Sequence, residues 1–89
     1  METTKIKIFD KDYRETYKIT HIEISKPNNK GLSLVCCTCN AYQLGGTGYY
    51  GCLDGYTQFD RLPLAIKQEV IKADNVACLS LDHWNIEIE

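Results

Sequence analysis

The chain has 89 residues, of which 44% are hydrophobic and 25% charged, and its formal net charge at pH 7 is −2. This length and balance argue against a disordered chain and predict one compact domain over residues 1–89. The charge argues against a nucleic-acid partner, because neutralising phosphates needs clustered Lys and Arg. Neither a secretory signal nor an apolar run of about 18 residues is present, so we predict a cytoplasmic protein without membrane contact.

The first predicted strands lie in the N-terminal quarter of the chain. Residues 5–9 alternate polar and apolar side chains, the period of a half-buried strand, and residues 10–12 indicate a turn. Residues 16–25 are rich in β-branched side chains, which favours a second strand. Their apolar side chains change phase in mid-strand, and this change predicts a β-bulge near Thr20 and His21.

Two hairpins are predicted in the middle of the chain. Pro27 and the Asn-Asn-Lys-Gly sequence after it favour a tight turn, so residues 16–43 are expected to form the first hairpin. The dipeptide Asp54-Gly55 lies between aromatic flanks. Because a type I′ turn needs two residues with positive φ, it predicts a second, shorter hairpin.

One helix and two more strands complete the predicted fold. Residues 61–73 space apolar side chains three and four positions apart, with Asp60 as N-cap and Pro63 in the first turn. Residues 76–81 form an apolar run typical of an interior strand, and residues 84–89 alternate again. The predicted class is α+β: a mostly antiparallel five- or six-stranded sheet with one helix on one face, in the order β-β-β-(β-hairpin)-α-β.

The cysteines allow two interpretations. Cys36 and Cys39 have the CxxC spacing of a zinc or dithiol motif, and Cys52 and Cys78 could complete four ligands. On a strand, however, side chains three positions apart point to opposite faces, so these two thiols should diverge. Five cysteines is also an odd number, as expected for free thiols in a reducing compartment. We therefore predict small core-packing thiols without a metal or cofactor, and keep the four-cysteine zinc site as the alternative.

A catalytic set can also be assembled from the composition. Cys52 with His83 and either Asp54 or Asp82 would supply a nucleophile, a base and an orienting carboxylate. These residue types are common and their spacing fixes no geometry. We therefore expect no enzymatic activity.

The glycine-rich residues 44–48 lead into an aromatic segment. They lack the following helix and the basic residue that a phosphate-binding loop uses, so we interpret them as a hinge. Tyrosine is enriched at protein interfaces because it offers large, rigid contact area with a polar tip. The predicted contact residues are therefore aromatic, with one carboxylate: Tyr49, Tyr50, Asp54, Tyr56 and Trp84.

From these residues the sequence predicts a non-enzymatic protein that occupies the surface of a protein partner. Such an adaptor or inhibitor has the size that phages and mobile elements often use. The alternative is a protein that holds or sequesters a nucleotide-like small ligand between the glycine loop and the tyrosines, at a dimer interface. Two copies could pair through the alternating edge of residues 84–89.

Overall fold

The computed structural model describes residues 2–13, 18–40 and 49–89; the side chains of residues 13, 39, 40 and 49–52 are not part of this description. Within these ranges lie seven strands, two α-helices and one short 3₁₀ turn at Phe59–Arg61. The strands are β1 Thr4–Ile6, β2 Phe9–Tyr13, β3 Ile19–Ser25, β4 Leu32–Asn40, β5 Tyr49–Gln58, β6 Val76–Ser80 and β7 Ile86–Ile88. The helices are α1 Leu64–Lys72 and α2 Leu81–Trp84.

Five of the strands form one antiparallel sheet in the order β2-β5-β4-β3-β6. The remaining two, β1 and β7, pair in parallel as a separate two-stranded sheet. The predicted α+β class, with a mostly antiparallel sheet and one main helix, is confirmed. No helix in the described ranges is long and apolar enough to cross a lipid bilayer.

One face of the five-stranded sheet builds the hydrophobic core. The register places Ile22 beside Cys37, and Cys37 beside Leu53, and in the next row Ile24 lies beside Val35. Each apolar side chain of this kind contributes about 1.5–3 kcal/mol when fully buried. The same core cluster takes buried side chains from the helical segment, the two-stranded sheet and the link between β1 and β2: Leu62, Ile66, Val70, Ile6, Ile86 and Ile8.

The predicted first hairpin is present as β3 and β4, and its turn is held by one side chain. Asn28 Oδ1 accepts hydrogen bonds from the backbone N–H groups of Lys30 and Leu32 at 2.8 and 3.1 Å. Gly31 has φ of 77°, a left-handed conformation that glycine adopts without steric cost. The register of β3 against β4 shifts between Ile19 and His21, so the bulge predicted near Thr20 and His21 is confirmed.

The predicted second hairpin is wrong, because β5 runs without a turn through Asp54 and Gly55. Gly55 is required for a different reason, namely the close approach of a neighbouring segment. A Cβ atom at this position would collide with Ile8 Cγ2 and lie 3.0 Å from the carbonyl oxygen of Phe9. The glycine therefore lets the chain around β2 cross close to β5.

Two predictions near the chain ends also differ from the structure. The single strand predicted at residues 5–9 is divided between β1 and β2, and residues 10–12, predicted as a turn, belong to β2. Asp10 takes φ of 54° inside this strand. Of the strand predicted at residues 84–89, only β7 is extended, since Trp84 ends α2 and Asn85 caps it in the left-handed conformation.

The helix and the strand after it are shifted in length and position. The helix α1 begins after Pro63, three residues later than predicted, and Asp60 lies in the 3₁₀ turn instead of capping it. The apolar run predicted as an interior strand is β6, which lies at one edge of the sheet. Its buried side chains are Ala77 and Leu79, whereas Val76 and Cys78 are exposed, so its apolar residues face both sides.

The crowding at Gly55 gives a prediction about stability. Gly55→Ala should lower the free energy of unfolding by about 1–3 kcal/mol, because the added methyl group overpacks the contact with Ile8. Gly31→Asn is the matched control, since no atom lies within 4 Å of its Cβ and Asn tolerates a left-handed φ. Urea unfolding of the two variants and the wild type makes the comparison.

An equal loss of stability in the two variants, or none in Gly55→Ala, would show that β2 can move away from β5 without cost. In that case the close approach is not a constraint on the fold.

Candidate functional site

On the side of the five-stranded sheet opposite the core, two rows of described side chains are half-buried or exposed, and we call this side the open face. Side chains alternate between the two faces along a strand, and directly paired residues share a face. The register therefore assigns two adjacent rows of side chains to the open face. One row is apolar and the other is acidic.

The apolar row crosses three strands and continues to the edge strand. Tyr56 of β5 is paired with Leu34 of β4, and Ser25 of β3 is paired with Val76 of β6. The Ser25 hydroxyl accepts a hydrogen bond of 2.8 Å from the Leu34 backbone N–H, which joins the two halves of the row. Tyr56 is 37% exposed and Leu34 and Val76 are each 42% exposed. Three sizeable apolar side chains thus face solvent together.

The acidic row lies one step along the strands. Its register runs from Asp12 to Asp54, Cys36, Glu23 and Cys78, so that three of its five side chains are carboxylates. A Lys or Arg side chain of a partner would be complementary in charge to this row.

Cys36 stands between two of these carboxylates. Burial raises the pKa of its thiol to about 12, assisted by a hydrogen bond from the thiol to the Asp54 carboxylate and by the negative charges of Asp54 and Glu23. Burial and the charge of Glu23 also raise the pKa of Cys78. The thiolate is the nucleophilic form of cysteine, so this raised pKa lowers the nucleophilicity of Cys36 at neutral pH.

The other cysteines follow the strand geometry in part. Cys36, Cys37 and Cys78 are free thiols, as predicted; Cys37 is buried in the core while Cys36 lies on the open face. Cys36 and Cys78 are two strands apart, roughly 10 Å. The side chains of Cys39 and Cys52 lie outside the described ones. Among the described residues, no three His, Cys, Asp or Glu side chains are grouped to hold a metal ion.

Of the two candidate catalytic sets, the one with Asp54 does not come together in the described part of the chain. His83 and Asp82 lie on α2, where the backbone N–H of His83 donates to Ser80 Oγ and its ring meets Trp84 edge-on. Asp54 lies on β5, three strand spacings or roughly 14 Å from the edge strand β6 that leads into α2. The side chain of Cys52 is among those not described.

The five predicted contact residues occupy different places. Asp54 and Tyr56 lie side by side on the open face, one in each row. The backbones of Tyr49 and Tyr50 belong to β5, opposite Asn40 and Cys39, and their side chains fall outside the described ones. Trp84 lies instead on α2, half-buried against the core.

Sequence reasoning missed Leu34, Val76 and Glu23, which complete the two rows. The only signal was that Leu34 and Val35 are both apolar within an alternating strand, so one of them had to face away from the core. Only the register of β4 with its neighbours shows that it is Leu34.

Comparisons of the chain with protein-family models, with curated proteins and with solved structures found no match.

The surroundings of Cys36 predict its reactivity. Asp54→Asn should lower the pKa of the Cys36 thiol, because it removes a negative charge and the carboxylate acceptor of its hydrogen bond. Alkylation of Cys36 by iodoacetamide at pH 8.5, followed by peptide mass spectrometry, should then be several-fold faster than in the wild type. Glu69→Gln is the control, since Glu69 lies on α1 and pairs with Lys72; an unchanged rate in Asp54→Asn would contradict the assignment.

The same thiol predicts a dependence of stability on pH. Its pKa rises from 9.0, the ordinary value, to about 12 in the folded protein, so between these values the folded state holds a proton that the unfolded state has lost. The stabilisation that this proton gives to the folded state is fully present below pH 9 and is lost as the pH rises towards 12. Denaturant unfolding at a series of pH values between 9 and 12 should show that the free energy of unfolding falls more steeply with pH in the wild type than in Cys36→Ser. Parallel curves would rule out this contribution.

Proposed function

We propose that the protein is a non-enzymatic binding protein, and that its open face docks on a partner protein that presents apolar and basic side chains. The observation that carries the proposal is the pairing of an exposed apolar row with an acidic row on one sheet face.

The apolar row supports contact with a protein. Scattered exposed apolar side chains are normal, but adjacent ones on a regular surface are typical of interaction sites. Tyr56 adds an aromatic ring with a polar tip, a residue type that often contributes much of the binding free energy. The flat strand surface holds these side chains in fixed positions before a partner arrives, which lowers the entropy cost of binding.

The acidic row supports the choice of partner. Asp12, Asp54 and Glu23 concentrate three carboxylates in one row of a chain whose formal net charge is only −2. Charge complementarity then favours a partner with Lys or Arg beside its apolar contact residues, and steers the approach of that partner.

The wider role is part of the same proposal. A protein of this size that covers a partner's surface would act as an adaptor or inhibitor, a form often encoded by phages and mobile elements. The three described free thiols agree with a reducing cytoplasm. The proposal includes pairing of two copies of the chain through residues 84–89. One edge of β7 is already paired with β1, so the second copy would pair with the other edge of β7.

A binding experiment tests the open face directly. The double variant Leu34→Ser/Tyr56→Ser should lose partners that the wild type cross-links in host extract, and weaken binding to the purified partner by roughly tenfold or more. The matched control is Leu64→Ser/Ile71→Ser, which removes two apolar side chains that are 69% and 57% exposed on α1. Isothermal titration calorimetry measures each affinity.

Equal affinity of the open-face variant and the wild type would reject the proposed site. Light scattering at high micromolar concentration separates self-association from a different partner. If the open-face variant is still a dimer, the two copies pair through the C-terminal strand instead of the open face. If the wild type is a monomer, self-association is excluded.

The alternative function, binding of a nucleotide-like ligand by the glycine loop and tyrosines, concerns residues of which 44–48 lie outside the described ranges. It stays a prediction of the sequence. Native mass spectrometry of protein purified from its host tests it, since a retained small molecule would favour it.

A further inference from the structure

A groove of about 480 Å³ lies at one end of the five-stranded sheet, between β1, the end of β5 and the 3₁₀ turn. It adjoins the apolar row of the open face, because Phe9, one of its lining residues, is paired with Tyr56. Its volume is within the range of roughly 300–1,000 Å³ that is typical of small-molecule sites.

The groove is positively charged in a chain of negative net charge. Lys5, Lys7 and Arg61 line it together with a single carboxylate, Glu89. Lys5 Nζ lies 3.9 Å from Glu89 Oε1, but these side chains are 61% and 47% exposed, so the pair is weak and screened by water. A neighbouring depression shares Arg61 and adds one cation, Lys30, and one carboxylate, Asp60, which leaves the local charge positive.

The remaining walls are a mixture of apolar and polar groups. Phe9 is half-buried and lines the groove beside the cations. Thr57, a buried hydroxyl residue, lines it as well, and its cross-strand partner is Ser33. The Ser33 hydroxyl is buried without a hydrogen-bond partner among the described atoms, so the core is unusually polar behind this groove.

This combination matches one class of ligand. Two ammonium groups and a guanidinium can neutralise a group with several negative charges, and Arg recognises phosphate oxygens in a bidentate manner. A single carboxylate would need fewer cations. The aromatic ring of Phe9 offers a surface for a flat, apolar part of the same ligand.

We propose that this groove binds a phosphorylated small molecule of nucleotide size. Its phosphates contact Lys5, Lys7 and Arg61, and its ring packs on Phe9. The three cations occupy no position in either row of the open face, and a titration with a small molecule needs no partner protein, so failure of this site and failure of partner docking are distinguishable.

Isothermal titration calorimetry with ATP and with inorganic triphosphate, without divalent cations, tests the proposal. ATP should bind more tightly than triphosphate, because only ATP has a ring to pack on Phe9. Lys7→Ala and Arg61→Ala should each weaken ATP binding by roughly tenfold, as expected for charge-assisted contacts. Glu89→Gln should strengthen it by about twofold, because it removes the one carboxylate that lines the groove.

Two controls make the result specific. Lys26→Ala removes an exposed cation that does not line the groove and should leave the affinity unchanged. Phe9→Leu should bring the affinity for ATP down to that for triphosphate, with circular dichroism melting to confirm that the variant is folded.

Three outcomes would overturn the proposal. These are no saturation by millimolar ATP, equal affinities of the wild type for ATP and triphosphate, and equal losses in Lys26→Ala and Arg61→Ala.

Discussion

The side-chain phase of the central strand β4 is the constraint on which the rest of the molecule depends. Val35 and Cys37 point into the core, so Leu34 and Cys36 must point away from it. A shift of one residue would place Val35 in water and Leu34 in the core, and would reverse every contact across the strand. Because β4 has paired strands on both sides, its phase is imposed on β3 and β5, and through them on β2 and β6.

Each of the two strands paired with β4 has a register shift near the C-terminal end of β4. In β3 the register shifts between Ile19 and His21, and in β5 it shifts opposite Cys37 and Thr38. In β3 the extra residue keeps Ile19 packed against the same core as Ile22 and Ile24, although the sequence spacing changes from even to odd. The Thr38 hydroxyl donates a hydrogen bond of 3.4 Å to the carbonyl oxygen of His21 at this level. The bulge in β3 therefore preserves the core instead of disrupting it.

The parts of the fold that depend on neighbouring residues were predictable from sequence, and the parts that depend on distant contacts were not. The turn at Asn28 and Gly31, the bulge in β3 and the presence of α1 each follow from local chemistry. The role of Gly55 depends on Ile8, which is 47 positions away in the sequence, so the Asp-Gly signal led to a turn that does not exist. The parallel pairing of β1 with β7 has no local signature either.

The same division applies to the candidate site. Asp54 and Tyr56 were selected because of their residue types, and the continuous strand β5 places them on the open face. Leu34, Glu23 and Val76 come from three other strands, and no sequence pattern links them before the register is known. Trp84 was selected for its ring alone, and its half-buried packing against the core shows why residue type is a weak guide to exposure.

The end of β5 shows how one small sheet can offer two surfaces of opposite character. Successive side chains alternate, so Tyr56 lies on the acidic and apolar open face whereas Thr57 is buried and lines the basic groove. The negative and positive groups nearly cancel in the net charge of −2, which therefore conceals both surfaces. Charge segregation of this kind follows from the strand geometry. The two surfaces meet at Phe9, which lines the groove and is paired with Tyr56, so an occupant of the groove would lie beside the apolar row.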